Sequence, residues 1–238
     1  MNQKIGFRIF QDFKRPDPEL VQKFSGIPSS NIGDMVNRLS CMRPYLIPFN
    51  DKPLLGVAFT VKSPAGDNLV LHRALDLAKP GDIIVVDAEG ESTRSIMGEM
   101  MLDYAVRRGI GGFVVDGMLR DGNALRNAPI PVYAIGLTPQ GPYKNGPGEI
   151  NVPVSCGGQV VFPGDILVGD EDGIVVIRPE YASELAEEAI AKHRKECAEL
   201  ANRASAESIR AMEERHHAKW DHLALEKGAQ LIPSADSI

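Results

Sequence analysis

Two short apolar runs, separated by about the length of one helix, constrain the fold of this sequence more than any other feature. Residues 82–87 (DIIVVD) and 112–115 (GFVV) are continuous runs bounded by glycine, as strands buried on both faces are. The chain between them, over about residues 93–107, has the pattern of a helix. Two strands joined through a helix form a parallel β-α-β unit, so the sequence predicts a layered α/β core.

The segments before this unit continue the alternation of helices and strands. Residues 17–24, with Pro16 before them and Pro18 as their second residue, predict a short helix, and Ser29 or Ser30 is expected to cap a second one. A strand over residues 56–61 is followed by a helix that we expect to be capped by Asp67.

A mainly β section follows, over residues 132–177, where strands are separated by glycine and proline turns. One segment of this section is weakly similar in sequence to a segment of the core. Residues 80–90 (PGDIIVVDAEG) align with residues 163–173 (PGDILVGDEDG) at proline, glycine, aspartate and several apolar positions. One matching pair does not make a repeat architecture, so we interpret it as one turn-into-strand structure used twice.

The chain between Pro179 and Gly228 contains neither glycine nor proline and predicts one long helix or two in tandem. Its apolar stripe is thin, and such a helix needs another surface to lie on. A neighbouring subunit would supply it, so we expect a homo-oligomer. The predicted division is a domain of residues 1–178 and a helical extension and tail of residues 179–238.

Composition excludes several classes of protein. The 238 residues carry a net charge of −6 with no dense basic run, so we expect no nucleic-acid partner. Cys41, Cys156 and Cys197 lie far apart without a CxxC pair, which favours a reducing compartment over a disulfide framework or a zinc ribbon. No apolar run approaches the ~18 residues of a membrane span. We expect a cytoplasmic protein without a membrane partner.

The segment of residues 111–122 (GGFVVDGMLRDG) carries the strongest chemical signal. A buried strand delivers Arg120 and Asp121 to its carboxyl end, where open α/β sheets place ligands. Adjacent side chains point in different directions, so one can hold an anion while the other ligates a hard cation or activates water. The alternative is a surface turn whose charges are solvated.

A second element lies on the preceding helix, at Gly98, Glu99, Met100 and Met101. If helical hydrogen bonding begins near Gly98, free backbone N–H groups would face a carboxylate held by Arg120. This predicts a carboxylate pocket. The alternative is that Gly98 only lets the helix pack closely on its neighbour.

These motifs, together with residues 155–158 (SCGG) and 163–173, make the chain similar to the RraA-like family over about residues 29–180. The resemblance implies a swivelling β/β/α fold, here with a long C-terminal helical extension. It also implies trimers or dimers of trimers with the site at a subunit boundary. The family includes 4-hydroxy-4-methyl-2-oxoglutarate / 4-carboxy-4-hydroxy-2-oxoadipate aldolases, which also decarboxylate oxaloacetate.

The resemblance assigns roles to individual residues. Asp121 would hold a divalent cation, Mg²⁺ or Mn²⁺, partly through water, and Glu99 would lie near those waters. Arg120 would hold the pyruvyl part of the substrate and the developing enolate oxygen. The backbone from Gly98 through Glu99 and Met100 to Met101 would receive the substrate carboxylate.

Two functions follow as hypotheses. The first is a metal-dependent (class II) lyase that releases pyruvate from a 4-hydroxy-2-oxo acid and decarboxylates oxaloacetate. The second is a regulatory protein that inhibits a ribonuclease by contact, as the members that give the family its name do. Arg120 and Asp121 favour the enzyme, because a binding protein needs no cation ligand beside an anion clamp. A methyltransferase is disfavoured, since no glycine loop follows the first strand.

Overall fold

The computed structural model describes residues 4–203, 206–220, 222 and 226–228. The strands in these residues are β1 (Ile47–Pro48), β2 (Leu54–Lys62), β3 (Asp82–Ser95), β4 (Gly112–Leu119), β5 (Val132–Leu137), β6 (Glu149–Ile150), β7 (Val154–Cys156), β8 (Gln159–Val161), β9 (Ile166–Asp170) and β10 (Gly173–Ile177). The helices are α1 (Pro18–Gln22), α2 (Ser29–Met35), α3 (Leu69–Leu77), α4 (Glu99–Arg107), α5 (Gly122–Arg126), α6 (Ala182–Ala201) and α7 (Ala206–Trp220).

One mixed sheet organises the first 190 residues. Its strand order is β1-β5-β4-β3-β2-β9-β10, and β6 pairs with β2 outside this path. Strands β2, β3, β4 and β5 are parallel, and helices α3, α4 and α5 connect them in turn. Strands β9 and β10 extend the sheet as an antiparallel hairpin. The predicted β-α-β core is therefore confirmed.

The sheet lies between two different layers, and alternation along β3 shows both. Ile84 and Val86 pack in the cluster formed with α3, α4 and α5. Ile83 and Val85 point to the opposite face, where the β7–β8 hairpin and residues 42–46 cover them. Side chains alternate between the faces of a strand, so one strand contributes to both cores. The layers are helices, sheet and hairpin.

A third apolar cluster lies against the β9–β10 hairpin. Phe24 and Ile32, from the region of α1 and α2, pack there with Leu185 from the start of α6. Helix α1 matches its prediction, and the Asp17 carboxylate caps it by accepting from the Glu19 amide at 2.9 Å. The core on this side therefore joins helices from the N-terminal part of the first compact unit to the helix that ends it.

Two predicted helix caps fare differently. The predicted cap by Ser29 or Ser30 is wrong, because Pro28 occupies the N-cap position and Ser29 lies inside α2. The Ser29 hydroxyl instead donates to Asp170 at 2.6 Å, a distant acceptor that the local sequence does not reveal. The predicted cap by Asp67 is displaced by one residue, because Asn68 occupies the N-cap position of α3. The Asp67 carboxylate still accepts from the Leu69 amide, the first of α3, at 2.9 Å.

Contacts divide the chain into two compact units, residues 1–190 and residues 191–238. The Gly- and Pro-free segment forms two helices in tandem, α6 and α7, which is one of the two predicted arrangements. Within the second unit, Arg215 pairs with Glu199 at 3.3 Å. The predicted domain boundary at residue 178 stays a prediction. Among the helices described, none has the length and apolar character that crossing a bilayer requires.

Candidate active site

Strand β4 delivers the predicted arginine and aspartate to the edge of the sheet. The apolar run predicted a strand over residues 112–115, but β4 continues to Leu119. After a bulge in β3, Met118 pairs with Ser95 on one side, and it pairs with Gly136 of β5 on the other. These non-local pairings extend the strand, so Arg120 and Asp121 come directly after its last residue.

Helix α4 begins one residue after Gly98, which occupies the N-cap position. The predicted start near Thr93 is wrong, since β3 continues through Ser95. Helical hydrogen bonding does begin at Gly98, whose carbonyl accepts from the Leu102 amide at 3.1 Å. Gly98 has no side chain to cap the helix, so the first amides of α4 are open to another acceptor.

The Asp121 carboxylate supplies that acceptor. Its Oδ2 accepts from the Glu99 amide at 2.8 Å. A Cβ on Gly98 would overlap this carboxylate and would lie 2.8 Å from Cγ of Arg120. Asp121 itself adopts a left-handed backbone conformation, with φ of 61° and ψ of 48°. The chain therefore needs glycine at position 98 to bring the end of β4 against the start of α4.

Arg120 lies beside this contact. Its Nε is 3.7 Å from Asp121 Oδ2, and its amide donates to the Met97 carbonyl at 3.1 Å. The Arg120 and Asp121 side chains are 46% and 41% exposed, so both remain accessible to a small molecule. A pocket of about 340 Å³ opens here, lined by both residues and by Leu137, Thr138 and Pro139.

The sequence analysis missed the loop that forms the far wall of this pocket. Thr138 is held by its amide, which donates to the Leu119 carbonyl at 2.9 Å. Gly141 lies farther along the loop, and a Cβ on it would be 3.3 Å from Nη1 of Arg120. The glycine and proline content of residues 138–142 (TPQGP) signalled a loop. Only the pairing of β4 with β5 shows that it lies beside Arg120.

The predicted carboxylate pocket offers fewer free amides than expected. Glu99 and Met100 are exposed at the start of α4. The Glu99 amide already donates to Asp121, whereas the amides of Met100 and Met101 have no acceptor within the helix by its geometry. An incoming carboxylate would therefore find these two amides, the positive end of the helix and the Arg120 guanidinium.

Asp121 is the residue predicted to hold a metal. Among the described residues, no group of three or more His, Cys, Asp or Glu side chains is arranged as a metal site. Both contacts of Asp121 given above involve Oδ2. A cation held by one carboxylate would keep water for most of its ligands, as Mg²⁺ commonly does. The donor set therefore suits a hard, hydrated cation and not a zinc-type site.

Comparison with known proteins yields one family and several relatives. A model of the RraA-like family, described as Aldolase/RraA, matches residues 29–176. A protein from Halalkalibacterium halodurans is 42% identical over 160 residues, which are 67% of this chain and 76% of that protein. One from Ectopseudomonas mendocina is 36% identical over 110 residues, covering 46% and 68% respectively. Both are named "Putative 4-hydroxy-4-methyl-2-oxoglutarate aldolase".

A solved structure is also similar. It is from Streptomyces coelicolor and is described as an unusual member of the RNase ES inhibitor RraA protein family. It is 29% identical, with a TM-score of 0.69 over 78% of this chain and 97% of that one. The likeness confirms the predicted fold class, and the family match confirms the predicted resemblance.

Proposed function

Because the chain belongs to the RraA-like family, we propose that it is a divalent-metal-dependent lyase that releases pyruvate from a 4-hydroxy-2-oxo acid and decarboxylates oxaloacetate. The observation that carries this proposal is the contact at Gly98. There the Asp121 carboxylate lies 2.8 Å from the first amide of α4, with the Arg120 guanidinium beside it. The proposed cation ligand and the proposed anion site would thus lie together at the carboxyl end of β4, and relatives with aldolase names support the reaction class.

Binding of the substrate follows from the charges. A 2-oxo acid has a carboxylate next to a keto oxygen, and both need positive partners. Arg120 would pair with this end of the molecule, and the amides of Met100 and Met101 would donate hydrogen bonds to the carboxylate. The wall formed by Leu137, Thr138 and Pro139 would limit the size of the distal group.

Cleavage breaks the bond between C3 and C4 of the substrate. The 4-hydroxyl group loses its proton and becomes a carbonyl, while the electron pair of the broken bond moves into the enolate of pyruvate. Arg120 would stabilise the enolate oxygen. C3 then takes up a proton, which gives pyruvate. With oxaloacetate, CO₂ leaves in place of the second carbonyl product.

A bound cation and one side chain of the protein would support these proton transfers and the developing charge. A divalent cation, Mg²⁺ or Mn²⁺, held by Asp121 and water, would supply Lewis-acid charge at the keto oxygen. Glu99, exposed at the first turn of α4, would hold or move a proton through water. We also propose that the protein works in the cytoplasm as a homo-oligomer, a trimer or a dimer of trimers.

A second candidate is a regulatory protein that binds a ribonuclease without catalysis. It is favoured by the description of the Streptomyces coelicolor structure as a member of an RNase inhibitor family. This candidate gives no function to the open amides of α4 beside Arg120. The two candidates therefore differ in what they expect from substitutions at the pocket.

The test is pyruvate release from oxaloacetate and from 4-hydroxy-4-methyl-2-oxoglutarate, with chelator and then with added Mg²⁺ or Mn²⁺. We expect chelator to stop release and metal to restore it. Asp121→Asn keeps an acceptor for the Glu99 amide but removes the charge, and it should abolish metal-dependent turnover. Arg120→Ala should lower turnover more than metal binding.

Asp103→Ala and Arg107→Ala are the matched controls, because this exposed pair lies on the same helix at 2.8 Å. Both should keep the wild-type rate. Wild-type kinetics in Asp121→Asn would remove the cation from the mechanism. Absence of release from either substrate, without metal binding, would favour the regulatory protein.

A further inference from the structure

A pair of carboxylates, apart from the candidate active site, lies on the opposite side of the sheet from α4. Asp87 of β3 and Asp116 of β4 are direct partners in the parallel register. They follow the alternation of Val85 and Val114, whose side chains pack under the β7–β8 hairpin. Both aspartates are buried, with 7% and 6% of their surfaces exposed. Two carboxylates therefore lie side by side at the carboxyl ends of two strands.

Only neutral donors reach these carboxylates. The Asp87 oxygens accept from the amides of Glu89 and Ser155, each at 3.2 Å. Oδ2 of Asp116 accepts from the Tyr45 hydroxyl at 3.0 Å and from the Gly157 amide at 2.9 Å. These four donors carry no charge to offset the pair.

The remaining oxygen of Asp116 has no partner at all. Oδ1 is fully buried and makes no hydrogen bond. It faces the backbone of Gly90, 3.9 Å from the point where a side chain on Gly90 would begin. Gly90 itself is exposed, so this buried oxygen lies beside a residue at the surface. Leaving a buried charged oxygen unpaired is costly, and such groups are normally paired or bound to a cation.

No side chain in the described part of the chain supplies the missing charge. Lys62 is next to Asp87 in the register of β2 and β3, but it forms no ion pair with either carboxylate. Two other buried aspartates differ in this respect: Asp82 pairs with Arg15 at 2.6 Å and Asp165 with Arg178 at 3.3 Å. The Asp87–Asp116 pair alone among these sites lacks an arginine.

The groups around the pair stay neutral. Burial, together with the charges of Asp116 and Asp87, raises the pKa of the Cys156 thiol well above its usual value. Burial and the bond to Asp116 raise the pKa of Tyr45 to about 12. Neither group supplies a positive charge. The charge of Arg43 acts on Tyr45 in the opposite direction to Asp116, but Arg43 forms no ion pair with either aspartate.

We propose that Asp116 and Asp87 form a binding site for a hard divalent cation of the Mg²⁺ or Ca²⁺ type, with Asp116 Oδ1 as a direct ligand. Hard cations take carboxylate oxygens, backbone carbonyls and water as ligands, and one or two carboxylates are sufficient for Mg²⁺. The site shares no residue with the pocket at Asp121, so it does not depend on the proposed function. Its cation would neutralise the pair and hold β3, β4 and the hairpin together.

The experiment uses Tb³⁺, which binds oxygen ligands as Ca²⁺ does and emits when a nearby tyrosine is excited. The full chain with Asp121→Asn serves as the background, so that the pocket of the proposed function does not contribute. We expect Tyr-sensitised emission that saturates with Tb³⁺ and that Ca²⁺ or Mg²⁺ displaces. In this background, Asp116→Asn should weaken Tb³⁺ binding about tenfold or more.

Two further variants locate the ion. Tyr45→Phe should abolish the sensitised emission while Tb³⁺ still binds, as measured by equilibrium dialysis. Asp165→Asn is the control, because it alters another buried aspartate and should leave binding unchanged. Unaltered Tb³⁺ affinity in Asp116→Asn would overturn the proposal.

Thermal melting gives a readout that does not depend on luminescence. Added Ca²⁺ or Mg²⁺ should raise the melting temperature of the Asp121→Asn protein and have no effect after Asp116→Asn. If Asp116→Asn fails to fold, Asp87→Asn takes its place in both measurements. A melting temperature that no cation raises would also overturn the proposal. Absence of pyruvate release from the wild-type protein, with Tb³⁺ binding intact in the Asp121→Asn background, would count against the proposed function only.

Discussion

Residues 80–90 and residues 163–173 share a sequence pattern and the same first turn. In each, an aspartate after Pro-Gly accepts from the amide three residues before it: Lys79 to Asp82 and Phe162 to Asp165, both at 2.8 Å. The glycine of each turn has a positive φ, 86° at Gly81 and 97° at Gly164. The same local residues therefore build the same local structure twice.

The two segments end differently. The first continues past Asp87 and a bulge to the start of α4, where the candidate active site lies. The second closes into the β9–β10 hairpin, and the Asp170 carboxylate accepts from the backbone amide and the hydroxyl of Ser29. The comparison shows that the short motif determines how the chain enters a strand. The elements that pack beside that strand determine whether a site lies at its end.

The largest expected effect distinguishes two glycines, Gly98 beyond the first segment and Gly173 at the end of the second. Gly98→Ala would place a Cβ against the Asp121 carboxylate and should lower the rate of pyruvate release about a hundredfold or more. A Cβ at position 173 would have no other atom within 4 Å, but the backbone φ of 138° is unfavourable for alanine. Gly173→Ala should therefore cost about 1 kcal/mol of stability and leave the rate of pyruvate release unchanged. The coupled assay and thermal melting measure both. A wild-type rate in Gly98→Ala would contradict the assignment of the site.

A second prediction compares the aspartates of the two turns. Asp82 accepts from Arg15 Nε at 3.0 Å and Nη2 at 2.6 Å, whereas Oδ1 of Asp165 makes no hydrogen bond. Asp82→Asn should therefore lower the free energy of unfolding by about 2 kcal/mol, because it removes the charge that two Arg15 nitrogens contact and leaves Arg15 only its exposed partner Asp12. Asp165→Asn should cost less at pH 7. Urea denaturation of both variants measures the difference, and equal losses would show that the two ion pairs are equivalent.

A third prediction concerns pH. Burial raises the pKa of Asp165 to about 6, although the Phe162 amide and Arg178 oppose this shift. The folded state thus holds the proton more tightly than the unfolded state, so Asp165 makes stability fall as pH rises from about 4 to about 6. Relative to wild type, Asp165→Asn should gain about 2 kcal/mol across this window. Urea denaturation at pH 4, 5, 6 and 7, with Asp82→Asn for comparison, checks the sign.

The smallest effect tests the structural role of Asp170. Ser29→Ala removes the 2.6 Å hydrogen bond to Asp170 and should lower stability by about 1 kcal/mol without changing the rate. Ser30→Ala is the matched control, since Ser30 is exposed on the same helix. Equal stability of the two variants would mean that the buried bond contributes nothing.

Sequence analysis located the residues of the candidate site but misplaced the boundaries of the elements around them. Gly98, Arg120 and Asp121 were expected near one another, and the Glu99 amide does lie 2.8 Å from Asp121. The start of α4 and the end of β4 were misplaced because β3 and β4 pair again beyond a bulge. That pairing joins distant residues, and local propensity contains no information on it.

The sequence by itself determined the features that depend on neighbouring residues. These are the Pro-Gly-Asp turns, the apolar strands and the glycine that leaves the first amides of α4 without a side-chain cap. Only the tertiary structure decided which groups meet. The register of β3 and β4 places Asp87 beside Asp116, and the register of β4 and β5 brings residues 138–141 to Arg120. The physical reason is that a turn depends on bonds a few residues apart, whereas strand register depends on packing across the whole sheet.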